Sequence, residues 1–263
     1  MRETEDAFAG EGEKSVDSRR GSQTLDRGLQ VLETVAAAAQ PISTPEIATS
    51  VGLHRTVVHR LAGTLAARGY LQTGSDGRHR LGGTFLAMRS NACDLSSVAR
   101  PYLEEIVRRT EETVHLAMLS GSDVIFVDGI ESPRALRVAS RVGRRLPAHS
   151  TSVGKCLLAA LDEDGLRRLY PTEELGQVTS HTITRRTELQ ATLSTVRRQG
   201  YASNEGEGEP GVGSVGALIR DRSGEPRAAL GVGAPMVRLT PAATRLITEL
   251  VVSTAKQMGD QLR

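Results

Sequence analysis

The sequence predicts two folded domains of different class, a small all-α domain with one β-hairpin and a larger α+β domain. Helical periodicity precedes residue 70, a basic hairpin pattern follows it, and apolar runs of strand length alternate with helices in the remainder. At 263 residues and 38% hydrophobic content, the chain is long enough for two cores. We expect a disordered tail over 1–21, the helical domain over 22–83, a connecting helix over 84–99 and the α+β domain over 100–263.

The composition excludes several classes of protein. Aromatic residues make up 3% of the chain and Trp is absent, which disfavours single-strand nucleic-acid modules that stack bases. Cys93 and Cys156 are too few for a disulfide framework and have no His or Cys at metal-ligand spacing, so we expect reduced packing residues, no metal and no cofactor. The acidic segment Met1–Arg20 lacks the apolar core of a signal peptide, and no later run reaches the roughly 18 apolar residues of a membrane helix. We therefore expect a cytoplasmic protein without a membrane partner.

The helical domain carries clear start and stop signals. Apolar residues recur at helical spacing in the first helix, at Leu25, Leu29, Leu32 and Ala36, and this helix is predicted to end near Gln40-Pro41. Ser43 and Glu46 have the spacing of a capping box, which predicts the start of a second helix there. Gly52 is expected to end that helix in the left-handed conformation. A third helix is predicted from Arg55 to Arg68.

The third helix has two distinct faces. Its apolar face holds Val58, Leu61, Ala62 and Leu65. Its opposite face holds Thr56, His59, Arg60 and Gly63. An ordinary solvated face would explain the polar residues, but a glycine inside a helix costs about 1 kcal/mol. We therefore expect Gly63 to allow close approach of a groove.

A basic hairpin follows the third helix. Turn residues occupy Thr73–Gly77, and Arg78–Leu81 form the return strand. Between Ser50 and Ser90 the only acid is Asp76, and the bases are Arg55, Arg60, Arg68, Arg78, Arg80 and Arg89, with His54, His59 and His79 beside them. This pattern predicts a winged helix-turn-helix domain that binds double-stranded DNA. Thr56 and His59 are expected to face base edges, whereas Arg60, Arg78 and Arg80 are expected near phosphates. Arg55 is also expected to bind the DNA.

Segments in both halves of the chain resemble IclR-type transcriptional regulators. "LDRGLQVLETVA", "STPEIATSVGLHRTVVHRLAGTLAARGYL" and "RHRLGGTFLAM" are similar to the DNA-binding half of that family. "RVGRRLPAHSTSVGKCLLAAL" and "RRQGYASNEGEGEPGVGSVGALIRD" resemble its effector-binding half. The resemblance runs from Gln23 to the C-terminus. It implies a homodimer or homotetramer that binds operator DNA and senses a small-molecule effector, often an organic acid, through a GAF-like domain.

Apolar residues of the connecting segment predict a dimer as well. They are Phe85, Leu86, Met88 and Leu95, and they are too apolar for a solvated connector. One winged module also buries too little surface to hold DNA with useful affinity. The operator is therefore expected to be an inverted repeat.

The second half reads as an α+β domain from its residues alone. The predicted strands are Val114–Leu119, Val124–Val127, Ala135–Ser140, Val215–Ile219 and Ala228–Val232. The predicted helices are Leu103–Thr110, Glu188–Gln199, Pro241–Gln261 and one that begins within Ser150–Gly154. A turn at Gly224 is expected to join the last two strands.

Three motifs suggest enzymes and are rejected on their context. The run Gly211–Gly216 has dinucleotide-binding spacing, but it leads into a strand, and no acid stands about 20 residues later. Gly154-Lys155 lacks the remaining residues of a phosphate loop, so we expect Lys155 to be structural. His149 and Cys156 have no orienting acid or oxyanion motif. We expect a regulator rather than an enzyme; the alternative is an enzyme of the sensor-domain fold with a regulatory helix-turn-helix.

The effector site is expected around one helix start and one strand. The resemblance places Ser152, Val153 and Gly154 beside the pocket, where backbone N–H groups bind carboxylates, although Ser or Thr capping its own helix is equally typical. Family members that bind a small keto acid carry an acid, a cysteine and two serines where this chain has Asn204, Ser214, Gly231 and Gly233. The glycines are expected to open room, with apolar walls from Leu119, Val127, Leu146 and Val153. This predicts a repressor of a catabolic or metabolic operon that senses a larger, aromatic acid or amide.

Overall fold

The computed structural model describes residues 22–85 and 94–262. The predicted tail over 1–21 lies outside the described residues, as do Leu86, Met88, Arg89 and Cys93. The chain divides into two compact units, residues 1–91 and 92–263. In the described part of the chain, no helix has the length and apolarity needed to cross a membrane.

Within residues 22–81, the first unit contains three helices and a small sheet. The helices are α1 (Gln23–Ala37), α2 (Thr44–Val51) and α3 (Arg55–Ala67). The strands are β1 (Ile42–Ser43), β2 (Leu71–Thr73) and β3 (Arg78–Leu81), with β3 in the centre. The predicted winged helix-turn-helix order is confirmed. The strand β1 and its pairing with the wing were not predicted, because two residues are too few to show a period.

The predicted local signals of the first unit hold in the structure. Glu46 accepts hydrogen bonds from the Ser43 N–H at 2.8 Å and from the Ser43 hydroxyl at 2.5 Å, which fixes the start of α2. Gly52 ends α2 with a φ of +65°. The core between the helices is built on Val31, Ile47 and Val58, all fully buried.

The second unit is built on a six-stranded antiparallel sheet. Its strands are β4 (Thr113–Ser120), β5 (Asp123–Ile130), β6 (Arg145–Pro147), β7 (Tyr201–Glu205), β8 (Val212–Arg220) and β9 (Pro226–Pro235). Their order across the sheet is β6-β5-β4-β9-β8-β7. The predicted hairpin at Gly224 is confirmed, with a φ of +87° at the turn. Both of its strands extend further than their apolar cores suggested.

Helices cover both faces of this sheet. They are α4 (Asp94–Thr110), α5 (Ser152–Leu158), α6 (Glu163–Leu169), α7 (Arg186–Gln199) and α8 (Pro241–Gly259). Helices α4 and α8 share one core with Leu116 and Leu230 of the sheet. Helices α5 and α7 share the opposite core with Ala117 and Ala229. Helix α4 runs across residue 100, where the sequence predicts a domain boundary.

The predicted strand Ala135–Ser140 is wrong. This segment is an irregular loop, and the strand that pairs with β5 is Arg145–Pro147 instead. The carboxylate of Glu131 accepts hydrogen bonds from the Ser140 N–H at 2.7 Å and from the Arg137 guanidinium at 2.9 Å. Side-chain bonds of this kind satisfy the backbone without a sheet neighbour, and the apolar alternation in the sequence does not reveal them.

Candidate nucleic-acid interface and effector pocket

Helix α3 presents the predicted polar face to solvent. Thr56, His59, Arg60 and Gly63 are all exposed, whereas Val58, Leu61 and Ala62 on the other face are buried. The His54 ring caps the helix start, and its Nδ1 lies 2.9 Å from the Thr56 hydroxyl. A Cβ added to Gly63 would meet no atom within 4 Å. Packing within the unit therefore gives no reason for a glycine at this position.

The arginines near this face differ in the hydrogen bonds and ion pairs that their side chains form. Arg55 and Arg60 are exposed, and within residues 22–85 and 94–262 their guanidinium groups make no ion pair or hydrogen bond. The Nε of Arg80 donates to the Gln72 side chain at 3.2 Å, on the neighbouring strand. The guanidinium groups of Arg55 and Arg60 are therefore available for the DNA contacts that the sequence predicts.

The side chain of Arg78 stabilises the fold of the wing. Its Nη1 lies 3.2 Å from the Glu46 carboxylate and donates to the Pro41 carbonyl at 2.9 Å. The pKa of Glu46 is lowered first by its hydrogen bonds to Ser43 and further by Arg78. Arg78 thus ties the central wing strand to the start of α2. The predicted phosphate contact would compete with this ion pair.

His79 does not contribute to the basic surface that the sequence suggested. It is buried, with Nε2 at 2.9 Å from the Thr44 hydroxyl and Nδ1 at 3.1 Å from the Thr73 hydroxyl. Burial lowers its pKa, and the nearby His59 lowers it further. The neutral ring links the two wing strands to α2. Alternation along β3 turns it inward between the exposed Arg78 and Arg80.

A small cavity lies in the second unit, between the start of α5 and one face of the sheet. Its volume is about 40 Å³. The lining residues that the sequence predicted are Ser152, Val153, Asn204, Ser214, Gly231 and Gly233. Leu146 and Gly154, also predicted, are not among the lining residues. An added Cβ at Gly154 would lie 2.1 Å from the Ala148 carbonyl oxygen, so this glycine serves close packing of α5 instead.

Several polar groups of the cavity are already paired within the protein. The Ser152 and Ser214 hydroxyls lie 2.8 Å apart. Asn204 donates to the Ser150 carbonyl at 3.1 Å and accepts from the Glu207 N–H at 2.8 Å. The amide of Asn204 therefore holds the following loop in place, and the two serines retain hydrogen-bonding capacity toward a ligand.

Arg141, which no sequence pattern indicated, is the only cation that lines this cavity within the described residues. Its side chain is only 14% exposed, and it forms an ion pair with Glu209 at 2.6 Å. Burial lowers the pKa of Arg141, and the Glu209 carboxylate acts in the opposite direction. Arg141 lies close in sequence to Arg137, Arg144 and Arg145, and no spacing in the sequence predicts which of these side chains turns inward.

His115 was missed as well, because a lone histidine in a strand carries no motif. Its Nε2 accepts a hydrogen bond from the Arg141 N–H at 3.0 Å, which places the ring proton on Nδ1. Burial, reinforced by the Arg141 charge, lowers the pKa of His115 to about 4. The ring packs edge-on against Phe126 with centroids 5.1 Å apart. The cavity thus contains a neutral imidazole beside a guanidinium.

The predicted apolar walls are only partly correct. Val153 lines the cavity, but Leu119, Val127 and Leu146 do not. Phe126, Val138 and Val212 take their place. Successive residues of a strand point to opposite faces, so Val127 packs into the core beneath α4 and α8 while Phe126 faces the cavity.

The prediction that Gly231 opens room for a ligand is wrong. An added Cβ at Gly231 would lie 2.6 Å from Cγ1 of Val153, so the valine fills the space that the glycine leaves. An added Cβ at Gly233 would lie 3.7 Å from Cγ1 of Val138, which is an ordinary contact distance. A cavity of about 40 Å³ holds a few waters, since one water needs ~10–15 Å³ by this measure. A ring-containing ligand requires side chains of the lining to move.

The rejected enzyme motifs have structural roles. Lys155 is 4% exposed and lies 2.6 Å from the Glu207 carboxylate, which is 13% exposed. Burial raises the pKa of Cys156 to about 12, and its thiol donates to the Gly216 carbonyl. His149 lies 2.8 Å from the Gly176 carbonyl oxygen and packs edge-on against Tyr170. Within the described ranges, no cluster of three metal-ligating side chains occurs.

The comparisons with known proteins decide the family. The IclR helix-turn-helix domain matches residues 24–75, and the bacterial transcriptional regulator IclR C-terminal domain matches residues 89–259. This chain belongs to the IclR family. The HTH-type transcriptional regulator XynR of Escherichia coli K12 is 33% identical over 80% of this chain and 85% of its own. The transcriptional repressor IclR of the same strain is 28% identical over 90% of this chain and 88% of its own.

Solved IclR structures share the architecture. An IclR homologue from Microbacterium hydrocarbonoxydans, complexed with 4-hydroxybenzoate, is 27% identical with a TM-score of 0.76, covering 92% of this chain and 99% of its own. The Thermotoga maritima IclR is 26% identical with a TM-score of 0.66, covering 90% and 97%. This IclR-family chain is therefore a DNA-binding transcriptional regulator with a ligand-binding C-terminal domain, and it is not an enzyme.

Proposed function

We propose that this IclR-family regulator is a cytoplasmic repressor whose effector is a ring-sized organic acid, bound through Arg141. The observation that carries the proposal is a largely buried arginine side chain, 14% exposed, that lines a small, partly open cavity. A buried cation is strongly stabilised by an anionic partner, and a carboxylate matches the planar fork of arginine. The 4-hydroxybenzoate complex of the Microbacterium relative supports an acid of this size.

The effector's carboxylate would meet Arg141, and its ring would lie between Phe126 and Val138. Ser152 and Ser214 would bond a polar substituent at the far end. Val153 has to shift from Gly231 for the ring to enter, and it belongs to the first turn of α5. The sequence-based placement of the carboxylate at the start of α5 is replaced by Arg141, because a fixed charge binds an anion more strongly than one short helix does.

The DNA side of the proposal rests on α3. Thr56 and His59 would read base edges in the major groove, Arg55 and Arg60 would meet phosphates, and Gly63 would let the groove approach. Arg80 on the wing would contact the adjacent backbone, and Arg78 would do so only if it leaves Glu46.

Exposed leucines on α1 support a homodimer, and a tetramer would be built from two such dimers. Leu25 is 63% exposed and Leu29 is 48% exposed, and they lie one helical turn apart. Apolar residues at adjacent turns are typical of a helix that packs on a partner. Two winged modules related by a two-fold axis predict an operator with two inverted half-sites.

A binding assay with two readouts tests the proposal. Purified protein is titrated with labelled DNA from upstream of its own gene at moderate salt, and glyoxylate, pyruvate, benzoate and 4-hydroxybenzoate are then tested by calorimetry and for release of the DNA. We expect a specific shift, and release by the aromatic acids. Tight binding of glyoxylate with no response to either aromatic acid would contradict the proposed effector class.

A further inference from the structure

We propose that Glu209 is a built-in competitor that occupies the effector's place on Arg141, so that an acidic effector binds by replacing the Glu209 carboxylate. This inference rests on the proposed function of Arg141. Arg141 and Glu209 both line the cavity, and their charged groups lie 2.6 Å apart. A carboxylate of the protein therefore already occupies the position at which the effector's carboxylate would bind.

The two partners differ sharply in exposure. The Arg141 side chain is 14% exposed, whereas that of Glu209 is 57% exposed. Leaving the ion pair returns Glu209 to water at little cost, but it leaves Arg141 as a buried cation that needs a new partner. Exchange of one carboxylate for another keeps the guanidinium paired at every stage.

The loop that carries Glu209 is held by bonds that do not involve this side chain. The Gly206 N–H donates to the Val212 carbonyl at 2.9 Å and closes the base of the loop. Glu207 on the same loop forms the buried ion pair with Lys155. Glu209 can therefore rotate away from the cavity while the loop backbone stays in place.

Glu209 and Arg141 act differently on an acid and an amide. Either ligand has to break the ion pair between Glu209 and Arg141 Nη2, so Glu209 lowers the affinity for both. A neutral amide then leaves the Arg141 guanidinium without an anion, whereas a carboxylic acid of the same shape restores an ion pair. The charge of Arg141 therefore favours the acid over the amide.

Charge-removing variants of the full-length protein test the competition. Glu209→Gln is compared with Glu205→Gln, which removes an equal charge from an exposed side chain that does not line this cavity. The probes are 4-hydroxybenzoate and 4-hydroxybenzamide, titrated by calorimetry, and circular dichroism checks folding. We expect Glu209→Gln to raise the affinity for the acid about fivefold, as for loss of a partly exposed ion pair, and to leave the ratio of acid to amide affinity unchanged. Glu205→Gln should change neither affinity, and Glu209→Gln should give no gain when it is combined with Arg141→Met.

The outcomes separate this inference from the proposal on which it rests. If Arg141→Met weakens the acid but Glu209→Gln does not strengthen it, Glu209 is no competitor and the proposed function stands. A gain from Glu209→Gln that persists in the Arg141→Met background would mean that Glu209 only blocks the cavity sterically. Failure of benzoate and 4-hydroxybenzoate to bind either the wild type or Glu209→Gln would overturn both proposals.

Discussion

Val153 packs directly over Gly231, with Cγ1 2.6 Å from the position of an added β-carbon. The pair forms part of the lining of the proposed effector pocket, because β9 has no side chain where the first turn of α5 packs on the sheet. We therefore expect the size of a bound ligand to depend on whether Val153 can move.

Val153→Ala should enlarge the pocket. We expect the affinity for 4-hydroxybenzoate to rise, and the free energy of unfolding to fall by about 1–2 kcal/mol, because a buried side chain loses two methyl groups. Gly231→Ala is the opposite change and should weaken the acid, since the new methyl group forces Val153 inward. Calorimetry and urea unfolding measure both effects. Equal affinity for the acid in the two variants would show that Val153 does not limit ligand binding.

Arg60→Ala should weaken binding to all duplexes. Loss of one phosphate contact makes the dependence of log K on log salt shallower by about one unit. Arg78→Ala should instead lower the melting temperature, with a smaller change in salt dependence, because its guanidinium is tied to Glu46 and Pro41. Fluorescence anisotropy at several salt concentrations distinguishes the two. An unchanged slope in Arg60→Ala, with a shallower slope in Arg78→Ala, would reverse these assignments.

The helical domain was predictable because its signals are local. The capping box of Ser43 and Glu46, the stop at Gly52 and the two faces of α3 each depend on neighbours within a few residues. The role of Arg78 was not predictable in the same way, because its partner Glu46 lies 32 residues away in sequence. Charge composition identifies a basic surface but not which arginines are free.

The pocket was predictable in outline and not in its chemistry. Family resemblance led to six of the lining residues, including Asn204 and Ser214. Arg141 and His115 approach the cavity from an irregular loop and a strand, and no spacing relates them. Because a strand was predicted at Ala135–Ser140, the irregular loop that leads to Arg141 was not expected. The side chains of a strand would alternate between the two faces of the sheet and would not lead to this arrangement.

His115 should make stability depend on pH between about 4 and 6.5. Its pKa in the folded protein is about 4, below the ordinary 6.5, so over this range the unfolded chain binds a proton that the folded chain does not. The contribution of His115 to the free energy of unfolding is fully present above pH 6.5. It falls by about 3 kcal/mol as the pH decreases toward 4. Urea unfolding of His115→Gln should show a correspondingly smaller loss than the wild type. Equal losses would contradict the lowered pKa.

Leu25→Glu combined with Leu29→Glu should give a monomer. Charges on the exposed face of α1 would be buried against a partner, which is costly, whereas the fold of the unit does not need these side chains. Sedimentation velocity at micromolar concentration measures the change, with Val178→Glu, an exposed apolar position in the second unit, as the control. A wild type that is already monomeric would contradict the dimer and the inverted-repeat operator together.

The dependence of DNA release on Arg141 shows whether this residue binds the effector. The wild type, Arg141→Met and the control Arg144→Met, which changes an exposed arginine three residues away, are bound to the same operator DNA and titrated with 4-hydroxybenzoate. We predict equal DNA affinity without ligand, release of the wild type and the control by the acid, and retention of Arg141→Met on the DNA at concentrations at least tenfold higher, on the order of a lost charge-assisted hydrogen bond. Release of Arg141→Met from the DNA at the 4-hydroxybenzoate concentration that releases the wild type would contradict effector binding by Arg141.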